Sequence, residues 1–89
     1  MLKDYLPNPK ETLIEQLPVV YYNLGDLSKS IHKAEVEKEP AYLIEAKIAI
    51  ADLYAQLAVM CEKLGYDPEF VRLLGEERFI ERMKTLREI

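Results

Sequence analysis

The apolar residues of this chain recur at helical spacing over nearly its whole length. From Pro18 to about Lys38, Val20, Leu24, Leu27, Ile31 and Ala34 alternate steps of four and three, the stripe of an amphipathic helix. Asn8 and Pro9 predict an N-cap and first turn for a shorter helix, reaching Leu17 before Pro18 opens the next. Glu39-Pro40 breaks the pattern, and a third helix is predicted from Pro40 to Leu64, with Gly65 as its C-terminal cap. Asp67-Pro68-Glu69 reads as an N-cap, a first-turn proline and a dipole-favoured acid. The fourth helix that follows has Phe70, Leu73 and Leu74 facing inward, and Gly75 ends or bends it. Phe79, Ile80, Met83 and Leu86 then share one face. No stretch alternates with the period of a strand. The expected class is all-α, with residues 1–17 as an N-terminal segment and 18–89 as the helical domain.

The third helix is unusual because it is apolar on nearly every side between Ile48 and Cys61. A helix of that kind is surrounded by protein, and an 89-residue chain has few helices with which to surround it. Association of copies, as a homodimer or homotetramer, is therefore expected. Within this apolar stretch lies Asp52. A buried carboxylate requires a cation, a hydrogen bond or a proton. Glu45, Ala49, Asp52 and Gln56 form one stripe; Asn23, Asp26, Ser30 and Lys33 form another beside the core of the second helix. Antiparallel packing of the two helices would let Asp26 face Asp52. Paired acids across a bundle suit Mg²⁺, a hard cation that prefers oxygen ligands. A salt bridge from Asp52 to Lys29, Lys33 or Lys47 would satisfy it equally well.

Composition narrows the partners. The net charge of −4 offers no broad field to attract nucleic acid or an anionic membrane. The apolar stretch is too short to span a bilayer and carries Asp52 and Gln56. A single cysteine, Cys61, and an N-terminus without a signal-like apolar run point to a cytoplasmic protein. There is no Cys/His spacing for zinc, no glycine-rich phosphate loop and no nucleophile signature.

Leu17-Pro18 followed by Val19 to Leu27 resembles the first motif helix of the MazG-type nucleoside triphosphate pyrophosphohydrolases, in which a Leu-Pro pair precedes an ExxE motif. Glu45 to Leu57, centred on Ala51-Asp52-Leu53, resembles the second motif helix, which carries ExxD. Leu64-Gly65 before an acid resembles the helix end of that family. The resemblance covers roughly residues 16 to 80. It implies a MazG-like four-helix bundle with an oligomeric core. It also implies Mg²⁺ held by motif carboxylates, and hydrolysis of a nucleoside triphosphate to a monophosphate and pyrophosphate. Two positions depart from the pattern: Asn23 and Ala49 stand where glutamates are expected. Asp26 and Asp52 match, Asn23 retains one neutral oxygen, and Glu45 is the nearest further acid on the stripe. The expected metal set is Asp26, Asp52, Asn23 and Glu45. Lys29, Lys47 and Gln56 are the expected contacts to a bound nucleotide. Loss of two glutamates leaves open a non-catalytic relative with a structural, regulatory or nucleotide-sensing role.

Overall fold

The computed structural model describes residues 12–88. Three α-helices occupy most of them: α1 (Leu13–Glu35), α2 (Tyr42–Leu64) and α3 (Pro68–Arg87). The all-helical expectation holds, but the helix boundaries differ at the start. The expected first turn at Asn8 and Pro9 lies outside the described residues. The expected break at Pro18 is absent, and one helix runs through it. Thr12 explains the earlier start. Its hydroxyl accepts from the Glu15 amide at 3.2 Å and donates to the Glu15 carboxylate at 3.2 Å, two contacts within a Thr-x-x-Glu capping-box sequence. Pro18 then costs the helix one hydrogen bond, to the carbonyl of Ile14 in the exposed first turn.

α1 ends before Lys38, which adopts a left-handed conformation with φ 59°, and the Glu39 amide donates back to the Lys33 carbonyl at 3.0 Å. α2 stops at Gly65 as expected. Gly65 is left-handed (φ 83°), and the Tyr66 amide reaches the Cys61 carbonyl at 2.8 Å. Asp67 caps α3 by accepting from the Glu69 amide at 3.0 Å. Gly75 does not end the last helix, which continues to Arg87.

α1 and α2 pack against each other as an antiparallel hairpin. Gln16, near the start of α1, donates its side-chain amide to both the backbone and the side-chain oxygen of Gln56, at 3.0 Å each. At the other end, the Lys33 ammonium sits 5.1 Å from the centre of the Tyr42 ring. The most buried residues of α1 follow 16, 20, 23, 27, 30 and 34. Those of α2 follow 42, 46, 49, 53 and 56, and the spacing then shifts to the buried Val59, with 60–63 all half-buried. Steps of four and three on both helices are the a/d spacing of a two-stranded coiled coil.

This seam differs from the expected core. Val20 is buried, but Leu24 is 47% and Ile31 40% exposed, while the polar Gln16, Asn23 and Ser30 are buried. A 3.5-residue repeat, rather than the apolar stripe, selects what faces the partner helix. Ala46 and Ala49 on α2 make that possible, because small side chains let α1 approach closely. α3 touches α2 but not α1. It buries none of its residues, so Phe70, Leu73 and Leu74 are exposed rather than inward-facing. The radius of gyration is 16.0 Å, against about 12 Å for a compact domain of this length. No helix among the described residues is long and apolar enough to cross a membrane.

Candidate functional site

With the seam fixed, the positions beside it follow from helix geometry. In an antiparallel pair, residues one place before the a positions lie on one flank, and residues one place after the d positions lie on the other. The first flank takes Asp26 and Lys33 from α1 and Glu45 and Asp52 from α2. The two end contacts, Gln16 with Gln56 and Lys33 with Tyr42, set the register. They place Asp26 level with the stretch between Glu45 and Asp52, about one helical turn from each along the axis. The expected antiparallel alignment of the two polar stripes is therefore present.

The environment of these acids is not the expected one. Asp52 is exposed, as are Asp26 and Glu45. The apolar neighbours of Asp52 in sequence are spread around the helix, so they do not enclose it. The alternative of a salt bridge is also absent. Among the described residues neither Asp26 nor Asp52 makes an ion pair, and Lys33 pairs with Glu37 at 3.7 Å on its own helix.

Asn23 and Ala49 both occupy d positions in the seam, 7% and 5% exposed. The two departures from the motif pattern therefore both fall on buried positions. An amide and a methyl group pack there without a net charge. Two glutamates would bring two charges into the seam and would need a cation or other partners there.

Of the residues expected to meet a nucleotide, Lys29 borders the acidic flank, one position further round α1. Lys47 lies on the far side of α2. Gln56 is in the seam, where its side-chain oxygen accepts from Gln16. Gln16 and Ser30 were not legible as seam residues from the apolar stripe. The signal that finds them is the interleaving of 16, 23 and 30 with 20, 27 and 34 at a strict heptad.

No family model, curated protein or solved structure matches this chain.

The donor set can be weighed against magnesium directly. Among the described residues no three His, Cys, Asp or Glu side chains cluster in a way that could hold a metal ion. A resident ion caged by protein ligands does not fit. Magnesium that arrives on a phosphate chain asks for less, because it usually takes one or two carboxylates and fills its remaining positions with phosphate oxygens and water. Asp26 and Asp52, exposed on one flank, fit that lesser requirement.

A concavity lies between the C-terminal half of α2 and α3, with a volume of about 810 Å³. Its walls include Tyr54, Leu57, Cys61, Val71, Phe79 and Ile80, so it is apolar. Arg72 at its edge is held by Glu69 and Glu76 on the same helix. Hydrogen bonding from Arg72, and then its charge, hold the Glu69 carboxyl below its usual value. The same pairing raises Arg72 above its ordinary range. With its charge already matched by two acids, Arg72 has little left to offer an anion.

Proposed function

We propose that this chain is a divergent MazG-like nucleotide pyrophosphohydrolase that works as a homo-oligomer. It would bind a nucleoside triphosphate, or a related pyrophosphate compound, and hydrolyse it to the monophosphate and pyrophosphate. The observation that carries this reading is the shared flank of Asp26 and Asp52, the two motif acids that remain, with Glu45 beside them. Asp26 and Asp52 would hold magnesium brought by the nucleotide, and the ion would supply charge neutralisation at the phosphates. Asn23 lies on the seam side of Asp26 and steadies that turn of α1. Lys29 is placed to meet a phosphate oxygen that extends past the acids. Glu45, two turns before Asp52 on the same helix, would act through water.

The test is release of pyrophosphate from a panel of ribo- and deoxyribonucleoside triphosphates, with Mg²⁺ or Mn²⁺ and the purified full chain. The reading expects metal-dependent release that Asp52→Asn and Asp26→Asn each abolish. Absence of release across the panel would overturn it.

A non-catalytic relative is the second reading, and the burial of the neutral Asn23 and Ala49 favours it. Neutral residues at both positions let the seam pack without a cation. Such a protein would bind nucleotide weakly or not at all. Calorimetry showing tight Mn²⁺ binding that disappears in Asp52→Asn would count against it.

A further inference from the structure

The concavity between α2 and α3 takes no part in the acidic flank. Its closed end lies at the turn between the two helices, where Cys61, Pro68 and Val71 are half-buried. Away from the turn the helices part, and Tyr54, Leu57, Phe79 and Ile80 are 51–65% exposed. The walls run about 10 Å along α2, from Tyr54 to Cys61, and about 18 Å along α3, from Pro68 to Ile80. That is roughly two to three turns of a helix. Ala58 on α2 and Gly75 on α3 keep the floor low. A Cβ placed at Gly75 would meet no atom within 4 Å, so the space beside it is open. Two diverging helices with an apolar trough between them have the shape that a third helix fills.

The charge of the rim comes from α3. Arg72 pairs with both Glu69 and Glu76, and one guanidinium against two carboxylates leaves this edge net negative. The α2 edge, with Tyr54, Ala55 and Ala58, carries no charge. Glu69 and Glu76 are two turns apart on one side of α3, about 10 Å along its axis. A complementary helix has an apolar stripe bordered, on the side facing α3, by basic residues two turns apart.

We propose that this groove docks a basic amphipathic helix of another protein. The helices of this chain lack the required character. α1 and α2 each carry three acids and two lysines, so either one from a second copy would bring further negative charge to the rim. α3 carries four acids among its own basic residues. An anionic ligand is disfavoured as well, because the charge of Arg72 is already matched. Helix geometry puts Asp52 on the side of α2 away from Tyr54, Ala58 and Cys61, so docking here leaves the acidic flank uncovered.

The probe is a synthetic peptide of about 18 residues, with Leu at the apolar positions of a heptad, Lys elsewhere and one Leu replaced by Trp. The chain has no Trp, so indole emission reports the peptide alone. With the full chain that emission should shift to the blue and saturate with a Kd of roughly 10 µM. A sister peptide with Glu in place of every Lys should bind roughly 10-fold more weakly. Gly75→Leu fills the open floor with a better helix former, so Tm should not fall while affinity for the Lys peptide drops roughly 10-fold or more. Glu69→Gln combined with Glu76→Gln frees Arg72 and should reverse the preference, toward the Glu peptide. No blue shift at about 100 µM chain, equal binding of the two peptides, or undiminished binding to Gly75→Leu overturns the proposal. So does a sedimentation mass of the chain alone that falls in Gly75→Leu, which would give the groove to a second copy. A disulfide formed readily between Leu6→Cys and Cys61 would give it to the N-terminal segment and overturn the proposal equally. None of these results bears on pyrophosphate release, so the two readings fail separately.

Discussion

Ala49→Glu restores one motif glutamate at a position the structure shows to be buried, and it tests the seam and the metal argument together. Ala49 is 5% exposed. Enlarging a packed position costs about 1–3 kcal/mol. An ionised carboxylate in the same place adds several kcal/mol, of which a hydrogen bond within the seam would return about 1.5–3 kcal/mol. The expected net loss at neutral pH is about 2–4 kcal/mol, or a fall in Tm of roughly 10–25 °C for a domain of this size. Burial raises the folded-state pKa of the new carboxyl above its unfolded value. The electrostatic part of the penalty is therefore full well above both values and is lost below the unfolded one, so the gap between variant and parent should narrow toward the packing cost of about 1–3 kcal/mol as pH falls below about 4. Magnesium provides the second axis. The introduced carboxylate lies one turn before Asp52, and millimolar Mg²⁺ should raise the urea midpoint of the variant while leaving the parent unmoved. Urea melts at several pH values, with and without Mg²⁺, measure all of this. A variant as stable as the parent at neutral pH without divalent cation would refute a packed contact at Ala49, and with it the heptad register.

Other positions give sharper single-point outcomes. Gln16→Ala loses one buried methylene and the carboxamide with its two hydrogen bonds, but also removes the Gln16 side-chain oxygen, which is buried without a partner; urea midpoints should show a net loss of about 1–2 kcal/mol. Gln16→Leu keeps the volume and removes that oxygen, and half-buried Gln56 can turn to water, so it should fall within about 1 kcal/mol of the parent. Lys38→Gly should stabilise by about 1 kcal/mol, seen as a rise in Tm, because Lys38 holds a left-handed conformation that costs a residue with a Cβ. Glu69 contributes to α3 while ionised. Since its folded pKa is depressed, that contribution is present above its unfolded pKa and is lost as pH falls through the lowered folded value. Carboxyl titration followed by NMR should show Glu69 returning upward in Arg72→Met.

What the sequence made legible follows its strongest local signals. Gly65 and Asp67 fixed the turn between α2 and α3, because each supplies a group that few other residues can: a left-handed backbone in one case, a capping carboxylate in the other. The start of α1 was misread because Pro18 is a louder signal than Thr12. A proline removes one bond, whereas a capping box supplies two contacts that favour an earlier start. The antiparallel packing of the helices that carry the two polar stripes was legible, and it sets Asp26 level with the stretch between Glu45 and Asp52. The burial of the acids was misjudged. Sequence neighbours of Asp52 are apolar, but in a helix the neighbours that enclose a side chain are those three and four residues away, together with the facing helix.

The error over the core has a physical cause, and it bears on function. Leu24 and Ile31 belong to the stripe expected to face inward, yet the hairpin turns Asn23 and Ser30 to α2 instead. Two helices cannot both approach over Ala46 and Ala49 and bury a row of leucines between them; close approach selects small and medium side chains. The large residues are left one position outside the seam, where a single hairpin cannot cover them. In a chain that worked alone this arrangement would waste its strongest driving force, since each exposed aliphatic side chain retains much of the roughly 1.5–3 kcal/mol that full burial would yield. The same heptad that puts leucines on one flank puts Asp26, Glu45 and Asp52 on the other. Covering the aliphatic flank would therefore fix the two helices that carry these acids while leaving the acids open to solvent, where a phosphate chain and its cation can reach them. Association and ligand access are then compatible because the two flanks lie on opposite sides of one seam.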